Sequence, residues 1–171
     1  MSIEEINQGL RYITYGLYIV TASDGEKQNG MIVNTVFQVT AQPPCVAISV
    51  NKNAFTHALI SSSGRFAAMP LAEEAPFPFI GRFGFRSGKT FSKLEGIDFQ
   101  TGALGCPLVK EHTLSFMEAE VIKTVDMGTH TLFIGEVKDA GVFAPHAHAM
   151  TYAYYHQVLK GKTPAGATHQ D

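Results

Sequence analysis

Two apolar, β-branched runs, Met31 to Val39 and Cys45 to Val50, stand either side of the turn sequence Gln42-Pro43-Pro44. Val, Ile, Thr and Phe suit a pleated, half-buried surface, so both runs are expected as strands. Proline donates nothing to a ladder, so pairing has to stop between them. Polar residues gather where the runs begin or end: Asn34 and Thr35 in the first, then Ser49, Asn51, Lys52, Asn53 and Thr56. Two readings of these groups stay open. They are turn and cap residues, or they line a pocket for a flat, phosphorylated ligand.

The chain has 171 residues, 45% of them apolar, enough for one compact domain with a sizeable core. With 13 basic against 15 acidic residues, it offers no field to attract nucleic acid. No apolar run is long enough to span a bilayer, and Met-Ser-Ile-Glu-Glu is acidic rather than signal-like. Cys45 and Cys106 stand alone without Cys-x-x-Cys spacing, which argues against zinc, iron-sulfur or disulfide frameworks. A reducing, cytoplasmic setting is the simplest expectation.

Ser2-Ile3-Glu4-Glu5 has capping-box form, and Ile3, Ile6, Leu10 and Ile13 recur at helical spacing, so the chain should open on a short amphipathic helix. Gly16 to Thr21 reads as a strand that turns back at Asp24-Gly25. A two-turn helix around Phe55, Ala58 and Leu59 should stop at Ser63-Gly64. Arg65 to Leu71 is a third strand, with Pro70 marking an edge or a break. Glu73 to Ile80 suggests an irregular helix, and Gly81 to Gly105 a long loop of the kind that carries function. Two long strands, Thr113 to Val125 and Thr131 to Val137, are joined by Met127-Gly128-Thr129-His130. A last helix, Tyr152 to Leu159, leads to a polar tail at 161–171 expected to fray, leaving residues 1–160 as the domain. Many strands, few helices and no βαβ rhythm predict an antiparallel barrel with short peripheral helices.

Gly84-Phe-Arg-Ser-Gly88-Lys89-Thr90 is not a P-loop, because three residues rather than four separate its glycines and no strand clearly precedes it. Its backbone N–H groups, with Ser87, Arg86 and Lys89, still suit one phosphate; the competing reading is a solvated basic loop. His146 and His148 lack carboxylate or Cys support, so no metal is expected. His130 follows the turn glycine and opens an apolar strand. There it is a strand-end histidine, or a donor to an anionic ring or substrate. Tyr152, Tyr154 and Tyr155 are core, or a surface for stacking on a planar cofactor.

Five stretches resemble the flavin reductase-like family, whose members hold FMN on a split, Greek-key β-barrel. They are Asn34-Thr-Val-Phe-Gln-Val-Thr-Ala-Gln-Pro-Pro, Ile48-Ser-Val-Asn-Lys-Asn, Ile80-Gly-Arg-Phe-Gly-Phe-Arg-Ser-Gly-Lys, His130-Thr-Leu-Phe-Ile-Gly-Glu-Val and Met150-Thr-Tyr-Ala-Tyr-Tyr-His. Their order is the family's, and the likeness is strongest to flavoredoxin-type proteins and the flavin domains of rubredoxin-linked reductases. The resemblance implies that Asn34, Thr35, Val36 and Phe37 line the isoalloxazine, with Ser49, Val50 and Asn51 along the ring and ribityl chain. It implies that Thr56 and Lys89, with Ser87, hold the phosphate, and that His130 and Tyr155 sit near the flavin or nicotinamide. His130 is the implied catalytic residue. Gly-Thr-His stands where close relatives have Gly-Asp-His, which removes a carboxylate beside the imidazole.

The implied activity is transfer of hydride from NADH or NADPH to FMN, and of electrons onward to an acceptor, in a homodimer. The alternative is a flavoredoxin-type electron carrier that exchanges electrons with a redox partner protein and has no nicotinamide turnover of its own.

Overall fold

The computed structural model describes residues 2–167. The capping box forms as the sequence predicts. Ser2 Oγ accepts the Glu5 N–H, Glu5 returns the bond to the Ser2 N–H, and α1 spans Ile3–Leu10. Seven strands make one antiparallel sheet: β1 (Tyr18–Ser23), β2 (Gln28–Val33), β3 (Val36–Ala41), β4 (Pro44–Asn51), β5 (Arg65–Pro70), β8 (Ser115–Asp126) and β9 (His130–Val142). Their order across the sheet is β2-β1-β5-β8-β9-β4-β3. A short hairpin, β6 (Phe99–Thr101) and β7 (Pro107–Val109), stands apart. The helices are α2 (Phe55–Ser63), α3 (Phe77–Gly84) and α4 (Tyr152–Gln157).

The predicted strand from Met31 to Val39 is in fact two strands, β2 and β3, broken at Asn34-Thr35. These two are the opposite edges of the sheet. A link from Val33 to Val36 reaches at most about 11 Å, since an extended chain advances about 3.6 Å per residue. The edges therefore lie side by side and the sheet is rolled into a barrel, split where the chain crosses between them. One apolar cluster draws side chains from all seven strands, including Val20, Val33, Ile48, Phe66, Ala119 and Phe133, with Val36 packed against it. Only a rolled sheet can bring those strands to one interior. Register shifts at Gln38/Thr40, Glu118/Ala119 and Val121/Lys123 supply bends.

The strand period sorts the central strands. Val20 of β1, with Phe66 and Ala68 of β5, enters the barrel with α2. Ile19, Ala67 and Met69 face a second cluster under α3, α4 and the 94–109 segment. Gly64 ends α2 in the left-handed region, φ 68°, as Ser63-Gly64 predicts. Pro70 ends β5, which lies inside the sheet rather than at its edge. The helix expected at 73–80 starts later and runs through Gly81 to Gly84, because Pro76 and Pro78 are tolerated at a first turn. The expected long loop is shortened accordingly and carries β6 and β7. Among the described residues no helix is long and apolar enough to cross a membrane.

Candidate functional site

A cleft opens at the split of the barrel. Its inner half is a slot of about 60 Å³ whose walls include Ile32, Asn34, Ser49, Asn51, His130 and Tyr155. Its outer half is a groove of about 690 Å³ at the N-terminus of α2 and the loop after α3. Met31, Ile32, Asn51, Gly84 and Phe85 belong to both walls, so the halves are continuous.

Strand alternation decides which of Ser49, Val50 and Asn51 can reach a ligand. Ser49 and Asn51 face the slot, whereas the Val50 side chain is fully buried in the barrel interior, so within that run side-chain contact with a ligand is left to its two neighbours. Asn34 is 7% exposed. Its amide oxygen accepts a hydrogen bond from Thr35 Oγ1 at 3.0 Å. Its Nδ2 is buried with no partner, the one such side-chain atom among the described residues. An unsatisfied buried donor costs roughly 1–3 kcal/mol, so Nδ2 marks a place where a ligand acceptor fits. Thr35, Val36 and Phe37 lie elsewhere. Their turn onto the β3 edge puts them on a second groove with Tyr15 and Pro70, which meets the slot only at Leu17 and Asn34.

His130 opens β9 directly opposite Asn51 on β4. Thr129 Oγ1 lies 2.9 Å from His130 Nδ1, so a hydroxyl orients the ring from the position where the family resemblance leads one to expect a carboxylate. Which atom donates depends on the imidazole tautomer.

The expected tail, in its described part, lies across the slot as a strap that includes Lys162, Thr163, Pro164 and Gly166. Tyr155 Oη donates to the Lys162 carbonyl at 3.1 Å, and Tyr152 Oη and Thr163 Oγ1 are 2.6 Å apart. Gly161 rests on the Tyr155 ring so closely that a Cβ would come within 2.1 Å of it. Asn51 Nδ2 donates to the Gly166 carbonyl at 2.9 Å. Residues 168–171 lie outside the described residues.

In the outer groove Thr56 is fully buried, and its Oγ1 accepts a bond from Asn29 Nδ2 at 2.9 Å. Gly88 packs directly on that Asn29 amide, where a Cβ would come within 2.2 Å, and this close approach holds the Ser87-Gly88 turn against β2. Ala54 begins α2 without a side-chain cap. Lys89 is exposed and does not line either half of the cleft; its N–H donates to Ser87 Oγ at 3.3 Å. Among the described residues the cations on the groove wall are Arg86 and Lys93, with no carboxylate in the lining. Lys93 is 5% exposed, and its Nζ donates to the Phe83 carbonyl at 2.8 Å. Burial pushes its pKa down to about 8. The Arg82 guanidinium donates to the carbonyls of Lys93, Ser92 and Glu95 and fixes the loop that carries it. Sequence reasoning passed over Lys93, whose one local signal is the apolar Leu94 beside it. Among the described residues no three His, Cys, Asp or Glu side chains converge as a metal site.

Barrel and cleft together define a split-barrel domain with a ligand-sized cleft at its opening. The flavin reductase-like domain family matches residues 10–162, and the chain belongs to that family. A ferric-chelate reductase (NAD(P)H) of Archaeoglobus fulgidus is 48% identical over 156 residues, which are 91% of this chain and 92% of that protein. A high molecular weight rubredoxin of Moorella thermoacetica is 47% identical over 160 residues, 94% of this chain and 69% of its own length. In fold, an NADH:FAD oxidoreductase of Streptomyces globisporus superposes with a TM-score of 0.77 over 86% of each chain, at 24% identity.

Proposed function

We propose that the chain is an NAD(P)H:flavin oxidoreductase that holds FMN along the cleft. The reading is carried by one observation: Asn34, with its orphaned amide nitrogen, lines a mainly apolar slot that runs out to a groove with cations and, among the described residues, no carboxylate. An apolar wall with few placed polar groups suits a planar ring, and the cationic end suits a phosphate. When bound, the flavin supplies acceptance of hydride from the nicotinamide and passage of electrons onward.

The chain's own residues bind and orient. Asn34 Nδ2 offers a donor to an acceptor edge of the ring, with Ser49 and Asn51 beside it. His130 is held through Nδ1 by Thr129, which leaves Nε2 to meet the ligand and steady negative charge there. Thr56, Ser87 and the uncapped first turn of α2 take the phosphate end. A slot of about 60 Å³ is far below the several hundred Å³ of ligand sites, so the strap at 162–167 moves aside for a ring to seat.

The purified protein, mixed with FMN and desalted, is expected to retain a flavin absorbance spectrum. Asn34→Ala is expected to lose it, and a wild type that binds no flavin at all overturns the reading. A second reading is an electron carrier worked by protein partners. The 47% identity to a protein named a rubredoxin favours it, and it predicts flavin binding without nicotinamide turnover. Assembly as a homodimer is part of the proposal. α1 buries none of its residues and leaves Ile3 78% exposed, with Ile6, Leu10 and Ile13 in the same stripe, and the β3 edge exposes Phe37 and Val39. An eight-residue helix of this kind is marginal without a surface to cover it. Sedimentation at a dimer mass is the expected result.

A further inference from the structure

We infer that Lys93 is the residue by which this site selects a phosphorylated flavin over the bare one, in the place that the sequence pattern assigns to Lys89. The inference rests on the reading of the cleft as a flavin site and adds the group that supplies its charge. Lys93 Nζ has three N–H donors, of which one meets the Phe83 carbonyl. Among the described residues no carboxylate lies within ion-pair distance, although Lys93 is only 5% exposed. A buried ammonium without a counter-ion is unfavourable, and its depressed pKa of about 8 agrees with that. The structure nevertheless keeps it on the wall of an open groove, with Arg86 as the other charged side chain there.

The same wall carries the start of α2, which has no side-chain cap and includes Thr56, together with Ser87. An uncapped helix start and a buried ammonium both favour an anion, from two separate elements. Lys89 is exposed, so its charge acts through water. Lys93 acts at low dielectric, where a charge-assisted bond is strongest. Arg82 holds the loop by three backbone carbonyls, and Arg82 and Arg86 both stack over Phe91, so both guanidinium groups are already engaged and the anion-binding role at low dielectric falls to Lys93.

The competing role is structural, because the bond to Phe83 also caps the carboxyl end of α3. Equilibrium binding of FMN and of riboflavin to the full chain and to Lys93→Met separates the two. Loss of one charge-assisted bond predicts FMN binding weaker by roughly 10- to 150-fold, with riboflavin binding changed less than about twofold. Lys93→Arg, which keeps the charge, is expected to retain the preference for FMN. The ammonium is present below about pH 8 and is further stabilised by the dianion. From about pH 6, above which the phosphate is a dianion, to about pH 8 the wild-type preference is therefore full, and it is lost as pH rises through the higher pKa of the complex, whereas Lys93→Arg stays flat over that range. FMN and riboflavin weakened equally in Lys93→Met would assign Lys93 to the helix cap alone, and FMN binding unchanged in that variant would remove it from the site. A wild type that binds neither flavin fails earlier, at the reading of the cleft itself.

Discussion

Thr56→Val tests the network on which the outer groove is built. Thr56 is fully buried and Asn29 nearly so, and their side chains share a 2.9 Å bond between β2 and the first turn of α2. Valine keeps the shape and has a helix propensity close to that of threonine, so the change isolates the hydroxyl. It strands the Asn29 Nδ2 donor under Gly88, and a buried unsatisfied donor costs roughly 1–3 kcal/mol. In a domain of this size each kcal/mol moves Tm by roughly 2–4 °C, so a fall of about 2–12 °C is expected. Urea unfolding of ligand-free Thr56→Val, Asn29→Ala and the double variant gives the coupling directly. The double variant should lose less than the sum of the singles, by about 1 kcal/mol or more. A single variant within 0.5 kcal/mol of wild type, or an additive cycle, would refute the reasoning.

Asn34→Ala removes the orphaned donor. Ligand-free protein should keep or gain up to about 1 kcal/mol in urea unfolding while flavin affinity drops, the reverse of a structural residue. His130→Ala should slow nicotinamide-driven reduction in stopped flow far more than it weakens flavin binding. Unchanged kinetics would remove His130 from the mechanism. Glu118 is fully buried and accepts the N–H groups of Leu104 and Cys106, each at 3.1 Å, so Glu118→Ala should lose roughly 3 kcal/mol or more. The lowered Lys93 pKa has its own signature in ligand-free protein. Between about pH 8 and 10.5 the unfolded chain binds the extra proton, so stability rises with pH by up to roughly 3 kcal/mol, and Lys93→Met abolishes that rise. Deleting residues 162–171 uncovers the slot, and FMN association measured by fluorescence quenching should quicken.

Local chemistry made much of the fold legible. The Ser2 box, the Ser63-Gly64 stop and the turn at 127–130 each satisfy their hydrogen bonds within a few residues, so their spacing alone gives them away. The break at Asn34-Thr35 was hidden because apolar residues continue on both sides of it. Only the pairing of β2 with β1 and of β3 with β4 shows that the chain changes edge there. That change carries Thr35, Val36 and Phe37 to another groove, and strand alternation turns the Val50 side chain into the barrel between Ser49 and Asn51, which line the slot. Asn34, Ser49, Asn51, His130 and Tyr155 do converge, as do Thr56 and Ser87. Lys93 was invisible for a different reason. Burial of a lysine comes from the loop that Arg82 fastens down, and no periodicity in Gly81 to Gly105 reports it.

An anaerobic absorbance titration of the FMN-loaded protein with NADH and then NADPH tests the central claim most directly. An NAD(P)H:flavin oxidoreductase bleaches promptly with one or both nucleotides, and the faster one names its donor. A flavin spectrum that dithionite removes and neither nucleotide touches would contradict the claim in favour of an electron carrier.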